Sequence, residues 1–586
     1  MVAHRNAFGL IAGEQGSLSQ RIMSASCAML GLSTRASSAV RTRVGRMVRW
    51  AVAVCMVCAI VLSPNSSQAG ADDSPYLHGV ESTTSSAGFV HPGVFVGLPQ
   101  LEAVRRKIAK GIGPQADIYR WILDSKEGLI NRKPVWDVYS DAIDPSKKCK
   151  PRSGNGCIMA AGYDGADGRE HTDRSKRNMS FQVNSAYANA LLFYYSGGEE
   201  VYAQNAIRML NAYAHTFKGF ASSPENSHVG DLFAAWMSQI LVRAAEIIRY
   251  TYVPSEGKPS FDVEAFESML RTAFVPRLEA GTANINNWRT SAAEGLMNIG
   301  VYLDDRELYG KSLKIWREVT PAYIYLKSDG QRPASLLDGS DAQLDCRWAD
   351  NRVNACKSHP KKSPGITYQN GQNQEICRDM WHSSAGVGGI INAAETAFLQ
   401  GDDLYAEEGN RIRTGLSYMI QLSQNVKQNG YPEGFCAVTT DSGSVVRQGA
   451  LPEDWDSTEP LSVVVAYNHY STTMGVPFSP VDIPGYSTPA ENSDPVARYV
   501  EERRSGSRDT YGYITAWQVL THRGVGEGIP PSAAPLATRQ PTATSGSSTP
   551  TEGAPIAVRE LLIASGVLLA VLAVGLLILR HPRNRA

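Results

Sequence analysis

The 586-residue sequence has no excess of charge of either sign, because 57 basic residues balance 57 acidic ones. Overall charge therefore gives no reason to expect a nucleic-acid partner, although a local cationic site for an acidic ligand remains compatible with it. The sequence also lacks the G-x-S-x-G elbow, the Walker loop and the G-x-G-x-x-G fingerprint. CxxC spacing does not occur after residue 69, and HExxH spacing does not occur at all. We therefore expect no cofactor and no metal.

Sustained period-two alternation of apolar and polar residues is scarce, and it suggests short strands only at 437–440 and 444–447. Helical spacing dominates instead. It covers residues 100–110, 183–195, 200–217, 231–250, 262–279, 288–302, 305–318, 384–399, 403–426 and 457–474. No clean repeat period accompanies it, which argues against the regular repeat families. We expect a mostly all-α fold of paired helices, a solenoid or a closed (α/α) toroid, with long loops such as 141–180.

Both ends of the chain carry apolar runs. Residues 50–62 follow a group of arginines and precede Ser67-Gln-Ala69, an acceptable signal-peptide cleavage site. Near the other end, nineteen uncharged residues, 561–579, are long enough to span a bilayer. A basic tail follows them, which places that tail in the cytoplasm. A buried core helix is the alternative for this run.

These features predict a domain order. Residues 1–69 form an N-terminal extension and signal peptide, with Met47 as an alternative start, and 70–84 form a leader. The folded domain spans 85–525, a Pro/Ser/Thr-rich stalk 526–558, a transmembrane helix 559–580 and a cytoplasmic tail 581–586. We therefore expect a single-pass protein of the cell membrane with its main domain outside the cell. The sequence does not determine its oligomeric state.

Six cysteines follow the predicted cleavage site, and an even number fits an oxidising compartment. Many pairings are possible. The simplest local ones are Cys149–Cys157, Cys346–Cys356 and Cys377–Cys436. A zinc site is the rival interpretation, but the spacing does not support it.

A polar segment, 368–382, precedes an apolar helix of small residues at 384–399, which Gly401 ends in the manner of a helix C-cap. Its polar residues whose side chains can take part in catalysis or binding are Tyr368, Asn370, Glu375, Arg378, Asp379 and His382. Reactive groups at the mouth of a buried helix are typical of an active-site rim, whereas ordinary helix capping is the simpler alternative.

Two further polar clusters favour a site. In the segment 284–289, the amide of Asn286 or Asn287 is suited to bind an anion, and Trp288 or Trp236 is suited to contact a sugar ring. Plain capping of the next helix is again the alternative. The third cluster, 467–470, places Tyr-Asn-His-Tyr in an otherwise apolar helix, where buried polar groups need partners.

The order of these motifs resembles the alginate-lyase superfamily of polysaccharide lyases over about residues 85–525. The resemblance rests on His91-Pro-Gly, the NNW element at 286–288, the segment from Glu375 to His382, Gly-Asp-Asp-Leu-Tyr405 and the Tyr-Asn-His-Tyr470 element. It implies an (α/α) toroid that cleaves an anionic, uronate-containing polysaccharide by β-elimination. Several members carry Asn-Asn-His where this chain has Asn-Asn-Trp, which shifts the expected histidine role to His382 or His228.

β-Elimination removes the C5 proton next to a uronate carboxylate, and donors that neutralise this carboxylate stabilise the enolate-like intermediate. We expect Asn287 and Arg378 to neutralise it and His382 to act as base or neutraliser. Tyr368 is the expected acid or base and Tyr470 its alternative, with a cation such as Arg378 lowering the tyrosine pKa. The expected substrate-binding residues are Asn286, Trp288, Arg289, His228, Trp236, Glu375, Asn468 and His469.

Two other classes of protein remain alternatives. One is a glycoside hydrolase on the same helical toroid, which would use two spaced carboxylates. The acidic pairs at 304–305 and 402–403 are more typical of turns and helix caps. The other is a non-catalytic glycan-binding protein of the cell surface.

Overall fold

The computed structural model of the protein describes residues 77, 80–124, 130–131, 138–139, 157–160, 169–221, 229–336, 341–350, 367–430, 436–439, 445–447, 462–484, 486, 494–502 and 517–525. All of them fall within the unit Met1–Ala533. The predicted signal peptide, stalk and transmembrane helix lie outside the described residues. Within the described part of the chain, no helix is both long enough and apolar enough to cross a membrane.

Helices make up most of the described structure. In chain order they are α1 (Leu98–Ala109), α2 (Gly113–Leu123), α3 (Arg169–Tyr195), α4 (Glu200–Thr216), α5 (Val229–Thr251), α6 (Val263–Met269), α7 (Val275–Gly281), α8 (Asn287–Tyr302), α9 (Arg306–Tyr323), α10 (Asp341–Asp350), α11 (Met380–Leu399), α12 (Leu404–Glu407), α13 (Gly409–Asn429), α14 (Val463–Tyr467), α15 (Pro495–Glu502) and α16 (Gln518–His522). A π-helical turn, Leu270–Phe274, joins α6 to α7, and another, Asn468–Thr473, extends α14.

The strands are short. They are β1 (Thr83–Thr84), β2 (Val90–His91), β3 (Gly93–Val94), β4 (Val96–Gly97), β5 (Val138–Tyr139), β6 (Cys157–Ala160), β7 (Phe217–Ala221), β8 (Ala437–Thr439) and β9 (Val445–Arg447). β1 pairs with β2, β3 with β4 and β8 with β9, each pair antiparallel. β6 lies between β5, which is antiparallel to it, and β7, which is parallel.

Within the described ranges, seven helices form a closed inner ring. Going round it, α1 packs against α3, α3 against α5, α5 against α8, α8 against α11, α11 against α14, α14 against α16, and α16 returns to α1. Outer helices cover the ring: α4 packs on α3, α7 on α5 and α8, α9 on α8 and α11, and α13 on α11. The predicted all-α toroid of paired helices is therefore confirmed.

The sequences of inner and outer helices differ because their surroundings differ. Inner helix α8 is buried at nearly every position from Thr290 to Tyr302, since neighbours surround it. Outer helix α9 is amphipathic, and only one face of it is buried. Both begin at a capping side chain that accepts a backbone N–H, Asn286 for α8 and Asp305 for α9.

The inner helices α5, α8 and α11 run in the same direction. Arg243 on α5 donates to Glu294 on α8 at 2.7 Å, and Asn392 on α11 donates to the same carboxylate at 3.3 Å. The chain of contacts continues to Ser462 and Gln518 at the starts of α14 and α16. Burial raises the pKa of Glu294, while the charge of Arg243 opposes that rise. This polar belt links inner helices across the middle of the ring.

A hairpin closes one end of the ring. Its glycine, Gly93, donates a backbone N–H to Glu246 of α5 at 3.0 Å, and a side chain there would collide with the Val90 carbonyl at 2.0 Å. Phe95 at its tip lies 3.4 Å from the Arg243 guanidinium, measured to the ring centroid. His91 is buried between the carboxylates of Glu246 and Asp304. The hairpin therefore fills the end at which the inner helices finish.

Most predicted helices are present with bounds shifted by a few residues, and the predicted short strands near 437 and 445 are confirmed as β8 and β9. The expectation of a loop over 141–180 is wrong in part, because 157–160 form β6 and α3 already begins at Arg169. Residues 169–180 are too polar to show an apolar stripe, so periodicity missed this first part of α3. The predicted helix 457–474 is present over Val463–Tyr467 and continues as the π-helical turn Asn468–Thr473, and residues 457–461 lie outside the described part.

Candidate active site

The residues singled out near 287 and 375–382 meet at the end of the ring opposite the hairpin. Asn287 is the first residue of α8, and Asp379 is the N-cap of α11. These two neighbouring inner helices are parallel, so their N-termini lie at the same end of the ring. Unpaired backbone N–H groups and the helix dipole make such ends favourable for anions.

Glu375 joins the pieces of this end. Its Oε2 accepts the backbone N–H of Asn287 at 2.8 Å and the hydroxyl of Tyr323 at 3.0 Å, and its Oε1 lies 3.4 Å from Nη1 of Arg378. Burial raises the pKa of this fully buried carboxyl group, while the charges of His382 and Arg378 oppose that rise. Glu375, predicted to bind substrate, is thus placed to hold the protein framework.

Tyr323 extends the same network to α11. Its hydroxyl is also 3.1 Å from the carbonyl oxygen of His382. Burial, followed by the charge of Glu375, raises the pKa of Tyr323 well above its usual value. Tyr323 therefore stays protonated and ties the start of α8 to the first turn of α11 through Glu375.

His382 lies beside Asp379. Its Nδ1 is 2.7 Å from Oδ1 and 2.6 Å from Oδ2 of Asp379, and its backbone N–H donates to the same Oδ1 at 2.7 Å. The His382 side chain is 23% exposed, so its ring reaches the surface of this end. Arg378 is 35% exposed, and its Nε lies 3.7 Å from Oδ2 of Asp379. An imidazole and a guanidinium are thus both held by Asp379 with access to solvent.

The side chain of Asn287 is fully buried, yet within the described part of the chain neither its Nδ2 nor its Oδ1 has a hydrogen-bond partner. Buried amides normally have partners, and an amide left without one beside an exposed cation is suited to a ligand. Its backbone N–H is already used by Glu375. The backbone of Asn287 is therefore held by Glu375, while its buried side-chain amide has no hydrogen-bond partner among the described residues.

Aromatic rings border the cluster. Trp381 packs edge-on against His382, with ring centroids 4.8 Å apart, and Trp236 of α5 packs edge-on against Trp381 at 5.4 Å. Trp236 is buried, whereas Trp381 and Trp288 are half-buried. Of these three rings, Trp288 and Trp381 therefore have surface left for a sugar, while Trp236 supports Trp381.

Tyr368 is not brought to this cluster. It packs with Tyr325 and Trp348 in a separate small core, and its hydroxyl donates to Asp345 at 2.7 Å. Burial and the hydrogen bond to Asp345 raise its pKa. The expectation that Arg378 lowers this pKa is therefore wrong, because Tyr368 pairs with a carboxylate instead of a cation.

The Tyr467–Tyr470 cluster is not brought to it either. His469 packs against Phe398 near the end of α11, and Tyr470 donates to the carbonyl of Tyr405. Sixteen residues of helix separate Phe398 from His382, which is about 24 Å. Asn468 accepts the backbone N–H of Val525. These expected acid, base and binding residues instead pack the opposite end of the ring.

Three further residues that were expected to bind substrate make other contacts or lie outside the described residues. Asn286 caps α8 by accepting the backbone N–H of Trp288 at 3.2 Å. Arg289 donates to Glu318 of the outer helix α9 at 2.7 Å, so its charge is already paired. His228 lies outside the described residues.

The sequence analysis did not single out Tyr323 or Trp381, and it named Asp379 without assigning it a specific role. The spacing of Asp379 and His382, an N-cap and a histidine three residues later, was the one local signal available. Tyr323 is 52 positions from Glu375 and carries no such signal. Among the described residues, no group of His, Cys, Asp and Glu could hold a metal ion.

The predicted disulfide Cys377–Cys436 is confirmed, with a sequence separation of 59. It links Cys436, which directly precedes β8, to Cys377, which directly precedes Arg378. The two other predicted pairs include Cys149 and Cys356, which lie outside the described residues.

Comparisons with known proteins agree with the predicted resemblance. Residues 125–336 match the sequence model of the family described as alginate lyase. No curated protein matches the chain. Among solved structures, an alginate lyase from Bacteroides ovatus is 13% identical with a TM-score of 0.42, covering 65% of this chain and 92% of that one.

Alginate lyase A1-III from Sphingomonas species A1 is 14% identical with a TM-score of 0.37, covering 67% of this chain and 91% of that one. Neither score is high enough to argue a shared fold, so the fold rests on the helix packing described above. The stretch that matches the alginate-lyase family model, residues 125–336, includes the cluster at 286–289.

Proposed function

We propose that this protein is a polysaccharide lyase that cleaves an anionic, alginate-like uronate polymer by β-elimination. One observation carries the proposal: Asn287, Arg378 and His382 are linked through Glu375, Tyr323 and Asp379 at one end of the helix ring. The family match over residues 125–336 supports the same class of activity.

The hydrogen-bond donors of this cluster are suited to the negative charge that develops on the uronate carboxylate during the reaction. The amide of Asn287, which has no partner in the described protein, and the guanidinium of Arg378 donate to the uronate carboxylate. Their hydrogen bonds strengthen as charge moves from C5 onto that carboxylate in the enolate-like intermediate. The N-termini of α8 and α11 add favourable dipoles. In this proposal, Trp288 and Trp381, which are only half-buried, contact sugar rings of the polymer.

His382 takes the C5 proton in this scheme. The C5–H bond breaks as Nε2 of the neutral imidazole gains the proton, and the electron pair moves into the carboxylate. The electrons return to form the C4–C5 double bond as the C4–O4 bond breaks. O4 then gains a proton, from the imidazolium or from water. The products are one fragment with a new reducing end, which keeps O4, and one fragment with an unsaturated uronate at its non-reducing end.

A hydrolase mechanism fits these residues less well. It needs one carboxyl group to act as an acid and a second, spaced carboxylate to act as nucleophile or base. The carboxylates of this cluster are Glu375, which is fully buried, and Asp379, which pairs with His382. Both are used within the protein.

The purified full chain should be tested on alginate, on glucuronan and on a glycosaminoglycan while ultraviolet absorbance from the C4–C5 double bond is recorded. We expect absorbance to rise with at least one polymer. His382→Gln should abolish the rise, and Arg289→Lys, which keeps the positive charge near Glu318, should retain most of it. Reducing ends without absorbance would establish a hydrolase, and binding without product a glycan-binding protein. Either outcome would refute the proposal.

We further propose that the enzyme is exported and works outside the cell, held at the membrane by residues 559–580. The support is the sequence alone: the apolar run 50–62 with its cleavage site, and the uncharged run 561–579 followed by a basic tail. Cell fractionation tests this. The full chain should sediment with membranes, and a chain ending at 558 should appear in the medium with its activity unchanged.

A further inference from the structure

Asp379 makes two kinds of contact that are usually made by different residues. As the N-cap of α11, its Oδ1 accepts the backbone N–H of His382 at 2.7 Å. The same carboxylate contacts the ring Nδ1 of His382 through both of its oxygens, at 2.7 and 2.6 Å. The side chain of Asp379 is only 16% exposed, so solvent screens this pair weakly.

These contacts determine which ring nitrogen carries the proton. Burial alone would raise the pKa of Asp379, but the hydrogen bond and charge of His382 and the backbone N–H lower it overall. Asp379 is therefore ionised near neutral pH, and an ionised carboxylate can only accept hydrogen bonds. Nδ1 of His382 must then be the donor, which leaves the lone pair of the neutral ring on Nε2.

Nε2 is the nitrogen available for chemistry. Within the described residues it takes part in no hydrogen bond, and Trp381 packs edge-on against the ring at 4.8 Å. Nε of Arg378 lies 3.7 Å from the same Asp379 carboxylate. One side chain thus orients both the histidine and the cation of the cluster.

We propose that Asp379 is a positioning residue that fixes His382 in the Nδ1-protonated tautomer, with Nε2 directed to the substrate, and aligns Arg378 beside it. The proposal rests on the proposed lyase function and names the group that prepares its base. The simpler alternative is that Asp379 only caps α11.

The chain contains a matched control for that alternative. Asp262 caps α6 by accepting the backbone N–H of Ala265 at 3.0 Å, and it also lies 3.2 Å from Nε2 of His215. This second Asp–His pair is on the outside of the ring, with 41% and 56% of its side chains exposed. It combines the same two features away from the candidate site.

Asp379→Asn and Asp262→Asn therefore form the test. Asparagine caps helices about as well as aspartate, so both variants should unfold at nearly the parent midpoint. Asp379→Asn should lower kcat on the order of 10²-fold with little change in KM. Asp262→Asn should change neither quantity. If Asp379→Asn fails to fold, Asp379→Ser, another good cap without charge, takes its place.

A readout independent of activity comes from nitrogen-15 histidine NMR of the full chain, with the His382 signals assigned by their loss in His382→Gln. The parent should show the Nδ1-protonated tautomer, and Asp379→Asn should show a mixture of the two tautomers. A loss of kcat without a change of tautomer, or no loss of kcat at all, would overturn the positioning role. A single tautomer in a parent protein that yields no unsaturated product from any polymer would refute the lyase proposal while leaving the Asp379–His382 pairing intact.

Discussion

Gly386, in the middle of α11, is predicted to be essential to the candidate site although it carries no side chain. A Cβ atom at this position would lie 2.1 Å from both Cζ and the hydroxyl oxygen of Tyr323, far inside van der Waals contact. Tyr323 is fully buried, and its hydroxyl donates toward Glu375 and the His382 carbonyl. The tyrosine therefore cannot move without loosening the link between α8 and α11.

The size of the effect follows from opposing terms. Gly386→Ala gains about 1 kcal/mol of helix propensity. Overpacking costs about 1–3 kcal/mol, and leaving the Glu375 carboxylate without its Tyr323 donor costs about 1–3 kcal/mol more. We therefore expect a net destabilisation of about 1–5 kcal/mol together with a lower kcat. Gly310 of α9 is exposed, has a negative φ and would meet no atom within 4 Å, so Gly310→Ala should stabilise the protein by up to about 1 kcal/mol.

Urea unfolding followed by circular dichroism measures both variants, and the rise in ultraviolet absorbance measures their activity. The same substitution should thus shift the midpoint in opposite directions at two helical glycines. A midpoint for Gly386→Ala at or above that of the parent would refute the argument that Tyr323 is immobile. A loss of stability in Gly310→Ala would show that the packing around α9 is tighter than described.

Three further predictions concern other contacts. Asn287→Ala should lower kcat about 10²–10³-fold. The urea midpoint should change little, since the Asn287 amide has no partner in the described protein. A large loss of stability would instead assign Asn287 a structural role. Replacing Cys377 and Cys436 by serine should cost about 4 kcal/mol of unfolding free energy, measured with and without reductant, because their bond closes a loop of 59 positions. Burial alone would lower the pKa of His91, but Glu246 and Asp304 raise it overall. The stability that the charged His91 contributes is therefore complete below a pH of about 6.5 and is lost as pH rises through the folded pKa. His91→Gln should therefore destabilise the protein more at pH 5.5 than at pH 9. An equal loss of stability at both pH values would contradict this.

Part of the candidate site was predictable because its signals are local. Glu375, Arg378 and His382 lie within one short segment. Asn287 begins a helix whose start can be recognised in the sequence from the capping residue Asn286. The Cys377–Cys436 bond was likewise predictable as the simplest pairing. Gly401 follows α11 with a φ of +91°, as its position after the apolar stretch suggested.

Local sequence signals did not predict which tyrosine reaches the candidate site. Tyr368 lies only seven positions before Glu375, yet it packs in a separate core and donates to Asp345. Tyr323, which has no polar neighbours in sequence to mark it, reaches Glu375 because α9 packs against α11. Which tyrosine meets a site depends on helix packing, and sequence spacing does not report it.

The sequence by itself determined the helical fold and a short list of chemically capable residues, because periodicity, capping and composition act over a few neighbouring positions. The tertiary structure decided which of those residues act together. It brought Asn287 and His382 to one end of the ring through Glu375, and it placed Tyr470 at the other end, beside Tyr405. The physical reason is the direction of the inner helices: α11 is about 30 Å long, so residues at its two ends cannot share a substrate atom.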